Sequence, residues 1–156
     1  MKIEYVWTKG GEKMALKVLI VEDDPTLLGM LRNLVFPLDP RFTPLFASSI
    51  EEAEKVFYDH PDIVAIAMDG RIEDGLPRTN EEVWAAPANT LDLVQKYRET
   101  FSGPIIALSG KFRQDLLDVG CDYYVKNKYD IHEKLIEVLC LTPYPAHQTS
   151  HGKTAL

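Results

Sequence analysis

The sequence predicts an α/β fold with a parallel β-sheet, and two observations lead to that prediction. Short apolar runs recur along the chain, separated by segments with helical spacing; the runs cover residues 17–21, 63–68, 104–108 and 122–125. Such runs are typical of strands that are buried on both faces of a parallel sheet. Polar residues follow each run, and the carboxyl ends of parallel strands border one crevice where ligands bind. We therefore expect a ligand site at that edge of the sheet.

Composition indicates a single-domain protein that binds neither nucleic acid nor membrane. The chain has 156 residues, of which 46% are hydrophobic and 26% are charged, as in ordinary globular proteins. Its formal net charge of -7 provides no basic stripe for nucleic-acid phosphates. No apolar run approaches the ~20 residues of a membrane span, and the polar N-terminus does not resemble a signal peptide. Cys121 and Cys140 are too few for a disulfide framework or a zinc site. We therefore expect a cytoplasmic protein.

The two ends of the chain are predicted to lie outside the domain. Residues 1–14 form an N-terminal extension, in which the alternation of Ile3, Tyr5 and Trp7 allows either a short edge strand or a frayed segment. Residues 142–156 are polar and contain two prolines, which predicts a flexible tail.

The first half of the chain contains two helix starts with clear capping signals. Asp24 followed by Pro25 predicts an N-cap with proline at the first helical position, and Pro37 is expected to end that helix. A weak strand at residues 43–47 precedes Ser49 and a glutamate three residues later, which matches a capping box.

The second half begins with a long irregular stretch, residues 70–89, and then alternates helices with strands. Helices are predicted at 90–101, 114–119 and 130–141, on either side of the last two apolar runs. Gly120 is placed to end the second of these helices, because glycine readily adopts the conformation required just past a helix.

The predicted crevice would receive Glu22 and Asp23, then Asp69, Ser109 and Lys126. Carboxylates that converge without a cation repel one another and raise a pKa, so a bound cation is the simpler explanation. Oxygen ligands favour Mg²⁺ or Mn²⁺. Taken singly, Ser109 is also consistent with a helix cap, and Lys126 with a solvated surface lysine.

Four segments together resemble the receiver domain of two-component response regulators. They are residues 18–25, 62–69, 104–109 and 120–126, and the resemblance extends over residues 15–141. It implies a flavodoxin-like fold, in which a five-stranded parallel sheet of order 2-1-3-4-5 carries helices on both faces. Too few residues follow for an output domain, so we expect a stand-alone receiver, similar to those of chemotaxis.

The resemblance also implies a role for each residue of the crevice. Glu22 and Asp23 resemble the acidic pair that binds Mg²⁺, with the Arg71 backbone carbonyl as a further ligand. Asp69 resembles the phosphoacceptor, which becomes 4-aspartylphosphate and also binds the metal. The remaining matches are Ser109 to the switch hydroxyl, Lys126 to the active-site lysine and Tyr123 to the aromatic switch residue.

The function implied is signalling by phosphoryl transfer. A histidine kinase or a phosphotransfer protein would donate the phosphoryl group, and a downstream protein or a second copy of the chain would read the result. The chain would then be no enzyme beyond its own phosphotransfer and autodephosphorylation. Two alternatives remain: a metal-dependent phosphohydrolase-like α/β enzyme, and a degenerate receiver that acts as a binding module. A haloacid-dehalogenase type of enzyme would require Asp-x-Asp after the first strand, where this chain has Glu22-Asp23-Asp24.

Three features depart from the family pattern. The spacing after Gly120 leaves Lys128 as an alternative to Lys126, and Tyr124 as an alternative to Tyr123. The stretch 70–89 is longer than compact loops prefer.

That stretch is too apolar for a solvated linker, and residues 80–84 predict one helical turn with Asn80 as its cap. We expect either a lid or partner-recognition edge anchored by Trp84, or an insertion folded away from the site. Arg71 and Lys111 are expected either to shield a phosphoryl group on Asp69 or to point to solvent.

Overall fold

A computed structural model describes residues 15–73 and 76–143, and its centre is a five-stranded parallel sheet. The strands are β1 (Leu16–Val21), β2 (Phe42–Ala47), β3 (Ala65–Met68), β4 (Ile105–Ala107) and β5 (Tyr123–Tyr124). Their order across the sheet is β2-β1-β3-β4-β5, and every neighbouring pair is parallel. The predicted fold class and strand order are therefore confirmed.

Helices cover both faces of the sheet. They are α1 (Pro25–Met30), α2 (Ile50–Asp59), α3 (Asn80–Ala85), α4 (Leu91–Arg98), α5 (Arg113–Val119) and α6 (Ile131–Val138). Buried residues of α1 and α6 belong to one hydrophobic cluster, and those of α2, α4 and α5 to a second. The two clusters divide β1 by its period of two, with Val18 and Ile20 in one and Leu19 and Val21 in the other. Among these six α-helices, only α3 buries none of its residues.

The first helix begins as predicted but does not end as predicted. The Asp24 carboxylate accepts bonds from the N–H groups two and three residues on, and Pro25 occupies the first helical position. A π-helical turn follows at Leu31–Val35, and Pro37 lies inside a 3₁₀ turn, Phe36–Leu38, instead of ending the helix before it. Proline has no N–H to continue an α-helix, so the hydrogen-bond pattern changes there while the chain stays helical.

The capping box before α2 is half correct. Ser49 Oγ accepts the Glu52 N–H at 3.1 Å, as predicted. The Glu52 carboxylate, however, accepts the N–H of Ser48 at 3.2 Å, one residue earlier than a capping box requires.

The last strand differs from the buried strand expected at residues 122–125. β5 has two residues at the edge of the sheet, and Tyr123 and Tyr124 are 42% and 39% exposed. The predictions for residues 1–14 and for most of the tail fall outside the described residues. Within residues 15–73 and 76–143, no helix is long and apolar enough to cross a lipid bilayer.

Candidate functional site

The candidate site lies where β1 and β3 end side by side. Val21 pairs with Met68, so the residues that follow these strands meet at the same edge of the sheet. Glu22, Asp23 and Asp69 each offer a carboxylate oxygen, and these oxygens all lie within 4.8 Å of one another. The structure therefore brings together the three acids that the sequence predicted.

Glu22 is the most buried of the three, with 1% exposure. Its Oε1 accepts bonds from the N–H groups of Asp23 and Asp24, each at 3.1 Å, and its Oε2 accepts one from Lys128 Nζ at 2.8 Å. Burial raises the pKa of Glu22 to about 7, and the charge of Asp69 adds to the increase. A divalent cation would relieve this repulsion, so the carboxylate set fits a metal such as Mg²⁺.

Asp69 is held by three groups. Its Oδ1 accepts the Gly70 N–H at 2.8 Å, and its Oδ2 accepts a bond from Lys128 Nζ at 3.1 Å. Its backbone carbonyl accepts a bond from Thr90 Oγ1 at 2.6 Å, and Thr90 is fully buried. The carboxylate itself borders an open cleft, which gives a reactant access to it.

The lysine against the carboxylates is Lys128, the alternative that the spacing left open, and the prediction of Lys126 is wrong in this respect. Lys126 is exposed beside β5 and lines a separate surface depression. The reason is local: Asn127 Oδ1 accepts the N–H two residues on at 3.0 Å and starts a 3₁₀ turn that carries Lys128 inward. Burial lowers the pKa of Lys128, but its bonds and charges with Glu22 and Asp69 outweigh burial and raise it.

The neighbouring acids Asp23 and Asp24 have different roles. Asp24 Oδ1 accepts the N–H groups of Thr26 and Leu27 at 2.9 and 3.4 Å, which is the predicted helix cap. Asp23 accepts the Glu73 N–H at 2.6 Å and, with Asp69, lines a cleft of about 470 Å³.

Ser109 follows β4 and lies next to the strand that carries Asp69. The Leu108 N–H donates to the Met68 carbonyl at 2.9 Å, which places Ser109 at the same edge of the sheet. Ser109 is 7% exposed, and its Oγ accepts the Phe112 N–H at 3.1 Å. The bond forms a turn ahead of α5, whose N-cap is Phe112 without a side-chain cap bond, so Ser109 is not the helix cap, and a role as the switch hydroxyl stays a prediction.

The choice between the two tyrosines also remains open. The Arg113 guanidinium lies over the Tyr124 ring, 4.1 Å from its centroid, and Lys134 Nζ lies 5.8 Å from the Tyr123 centroid. Both rings are on the surface, so either could change its position without opening the core.

The insertion that begins after Asp69 is closed at its base. The Asn89 N–H donates to the Gly70 carbonyl at 3.0 Å. The Asn89 side chain accepts the Ile72 N–H at 2.8 Å and donates to the Ile72 carbonyl at 2.6 Å. Phe112 packs against Gly70 so closely that an added Cβ would lie 2.5 Å from Phe112 Cβ. Both ends of the insertion are therefore fixed beside Asp69.

Within the insertion, the predicted turn of helix is present as α3. Its cap is Thr79 instead of Asn80. Thr79 Oγ1 accepts the Glu82 N–H at 3.2 Å, and the Glu82 carboxylate in turn accepts the Thr79 N–H. Trp84 is 75% exposed and lines the cleft over Asp69. The insertion thus forms a wall of the cleft and is not folded away from it.

Arg71 and Lys111 do not simply point to solvent. Arg71 Nη1 donates to the Pro87 carbonyl at 2.9 Å, and Lys111 Nζ donates to the Trp84 carbonyl. Both residues line the same cleft as Asp69. Their shielding of a phosphoryl group stays a prediction, as does metal binding by the Arg71 carbonyl.

Asn89 and Thr90 bond to backbone groups next to the acids but are not among the site residues predicted from the sequence. Thr90 directly precedes a helix and was assigned to it, yet its side chain makes no cap and donates to the Asp69 carbonyl. Their position in the sequence could have indicated this. They are two polar residues at the end of the stretch that begins after Asp69, where the chain comes back to the sheet.

No protein-family model matched the sequence, and no curated protein matched it significantly. Solved structures do match the fold. The receiver domain of a sensor histidine kinase from Pseudomonas aeruginosa, with magnesium coordinated in its active-site cleft, has a TM-score of 0.59 and 18% identity, over 81% of this chain and 99% of that chain.

Two further structures agree. A CheY-like response-regulator receiver domain from Methylobacillus flagellatus has a TM-score of 0.57 and 18% identity, over 80% of this chain and 99% of that chain. A chain of the CheX–CheY–BeF₃–Mg²⁺ complex from Borrelia burgdorferi has a TM-score of 0.56 and 18% identity, over 82% and 90%. The chain therefore has the CheY-like fold of response-regulator receiver domains.

Proposed function

We propose that this chain is a phospho-accepting signalling receiver that takes a phosphoryl group onto Asp69. The observation that carries the proposal is the arrangement around Lys128, whose ammonium bridges Glu22 and Asp69 at 2.8 and 3.1 Å beside an open cleft. An ammonium in that position is a point charge suited to a phosphoryl oxygen. The receiver fold of the neighbouring structures supports the same interpretation.

The proposed reaction requires little covalent chemistry from the protein. An Asp69 carboxylate oxygen attacks the phosphorus of a phosphohistidine, the P–N bond breaks, and the imidazole of the donor leaves with its electron pair and takes up a proton. Lys128 and Ser109 then meet phosphoryl oxygens from two sides of the crevice. Phosphoryl transfer depends mainly on such positioning and charge neutralisation. Asp23, Asp69 and, through its charge, Glu22 would hold a Mg²⁺ ion, which would supply further positive charge to the phosphoryl oxygens.

The proposal includes the setting of the reaction. The donor is a histidine kinase or a phosphotransfer protein in the cytoplasm, and the output is a protein contact. Hydrolysis reverses the state: water attacks the phosphorus, the bond to Asp69 breaks, and inorganic phosphate leaves. Self-dephosphorylation of this kind is the extent of the catalysis that we propose.

The test uses acetyl phosphate, in which acetate is the leaving group. The protein is incubated with Mg²⁺ and acetyl phosphate, and its intact mass is measured with time. We expect one phosphoryl group per chain, no gain without Mg²⁺, and no gain in Asp69→Asn. Labelling that persists in Asp69→Asn would move the acceptor elsewhere. Continuous release of phosphate without an accumulating phosphoprotein would favour the phosphohydrolase instead.

A further inference from the structure

Two cations that line the cleft donate to the same short stretch of backbone. Arg71 lies two residues after Asp69, and its Nη1 donates to the Pro87 carbonyl at 2.9 Å. Lys111 lies two residues after Ser109, and its Nζ donates to the Trp84 carbonyl. We call residues 84–87 the strap. Each of the two strand ends at the site thus extends one cation to the strap.

Little else among the described contacts holds α3 and the strap in place. α3 buries no residue, and Val83 and Trp84 are 51% and 75% exposed. The one buried residue of the strap is Ala86, a small side chain. Asn89 fixes the base of the insertion but lies beyond the strap. Among the described contacts, the bonds from Arg71 and Lys111 are therefore the main ones that hold the strap next to α3.

A phosphoryl group on Asp69 would compete with the strap for the bonds of Arg71 and Lys111. The carbonyls of the strap are neutral acceptors, whereas an aspartyl phosphate adds strong anionic acceptor oxygens to the cleft that both cations line. The bonds to the strap carbonyls are ionised only on the donor side, whereas bonds to an aspartyl phosphate are ionised on both sides and add direct charge attraction. Each cation therefore makes a stronger interaction when it exchanges a strap carbonyl for a phosphoryl oxygen.

We propose, on the basis of the proposed function, that Arg71 and Lys111 are a clamp that senses the charge of Asp69. The clamp holds the strap while Asp69 is a carboxylate. It releases the strap when phosphoryl oxygens become available, and α3 then moves away from the cleft. Phosphorylation is thereby reported by the insertion, in addition to any change at Ser109 or at the tyrosines of β5.

Trp84 provides a direct readout of this movement. Lys111 Nζ lies 5.8 Å from the centroid of the Trp84 ring, so release of the clamp removes a cation from beside the indole. The sequence contains two tryptophans, and the Trp7→Phe variant leaves Trp84 as the only one. Its fluorescence and the hydrogen exchange of α3 are measured beside intact mass, with Mg²⁺ and acetyl phosphate as the probe.

We expect the Trp84 emission to change in step with the gain in mass. The amides of α3 should exchange at least about tenfold faster, since each lost bond to a charged group is worth at least the 1.4 kcal/mol that corresponds to tenfold. In Lys111→Ala the strap is already loosened, so phosphorylation should give a mass gain with little further change in Trp84. The control Lys126→Ala removes an exposed lysine outside the cleft and should respond like the parent protein.

The possible failures are distinguishable. A full mass gain without a change in Trp84 emission or α3 exchange would overturn the clamp and leave the receiver function intact. An identical Trp84 response in Lys111→Ala and its parent would also overturn it. If the parent protein gains no mass, the receiver function fails, and the clamp fails with it.

Discussion

Two buried carboxylates in this fold have cationic partners at similar distances, yet their pKa values shift in opposite directions. Asp39 is fully buried; it accepts two bonds from the Arg41 guanidinium at 2.9 Å and one from His132 Nε2 at 2.8 Å. Burial raises the pKa of Asp39, but the bonds from Arg41 and His132 outweigh burial and lower it below its ordinary value. Glu22 is almost as buried, and its pKa is raised to about 7.

The difference lies in the bonding partners that each acid has and in whether it shares them with another acid. Asp39 accepts bonds from both Arg41 and His132. Glu22 and Asp69 share the single ammonium of Lys128. A buried charge is tolerated only when it is fully paired, so the first cluster is complete as it stands and the second lacks positive charge. Burial acts on both acids, so the shortage of positive charge is what distinguishes the candidate ligand site from the structural ion pair.

The largest effect expected from this comparison is on stability. Asp39→Ala removes the buried carboxylate to which Arg41 and His132 both bond, and breaking a buried pair in this way costs about 3–5 kcal/mol. The measurement is the free energy of unfolding in urea. Phosphorylation by acetyl phosphate, counted per folded molecule, should be unchanged. A loss of phosphorylation in the folded fraction would show that the two clusters are coupled.

The direction of the Asp39 shift also predicts a pH dependence. Because the folded pKa is below the unfolded one, the unfolded state binds the proton more readily in acid. The stabilisation is complete above about pH 4, near the unfolded pKa, and is lost as the pH falls through the folded pKa. The difference in the free energy of unfolding between Asp39→Ala and the parent protein should therefore become smaller in acid. A difference that widens below pH 4 would contradict the assignment.

A second effect concerns the two candidate lysines. Lys128→Met removes the only ammonium that the described contacts place against Glu22 and Asp69. We expect the rate of phosphorylation by acetyl phosphate to fall about 10²–10³-fold, as when one donor to a developing charge is removed. Lys126→Met is the matched control, and its rate should be close to that of the parent protein. Equal falls in the phosphorylation rate of the two variants would show that Lys126 also acts at the site.

The smallest effect separates two adjacent acids. Asp23→Ala should weaken Mg²⁺ binding at least about tenfold, a loss at the lower end of that seen for groups that support a metal site. Asp24→Ala should leave Mg²⁺ affinity nearly unchanged and cost about 1 kcal/mol of stability through the lost helix cap. Isothermal titration with Mg²⁺ and urea unfolding measure the two quantities. Equal losses of affinity would contradict the division of roles.

The sequence predicted those parts of the site that a strand positions. Glu22, Asp23 and Asp69 directly follow apolar runs, and the parallel arrangement then requires them to meet. Residues that depend on a turn could not be placed in this way. The Asn127 side chain decides between Lys126 and Lys128, because it starts a 3₁₀ turn. The spacing of apolar residues does not predict that turn.

The fold shows the same division. The helix at Asp24 follows from a local pattern and the strand order from the family resemblance, whereas the two-residue length of β5 and the π-helical turn after α1 depend on tertiary packing. The insertion was recognised as unusual by its length. Its attachment through Asn89 and Thr90 to backbone groups seventeen and twenty-one residues away is a long-range feature, which a single sequence does not reveal.

The closed base of the insertion has a consequence for protein engineering. The Gly70 carbonyl and the Asn89 N–H are already joined at 3.0 Å, so the chain between them leaves and re-enters the scaffold at one point. Segments of different length can connect two such points at little entropic cost, since each doubling of a flexible loop adds only about 0.6 kcal/mol. The insertion therefore has the geometry of an exchangeable cassette: other sequences can replace it while the strands that position Asp69 keep their register.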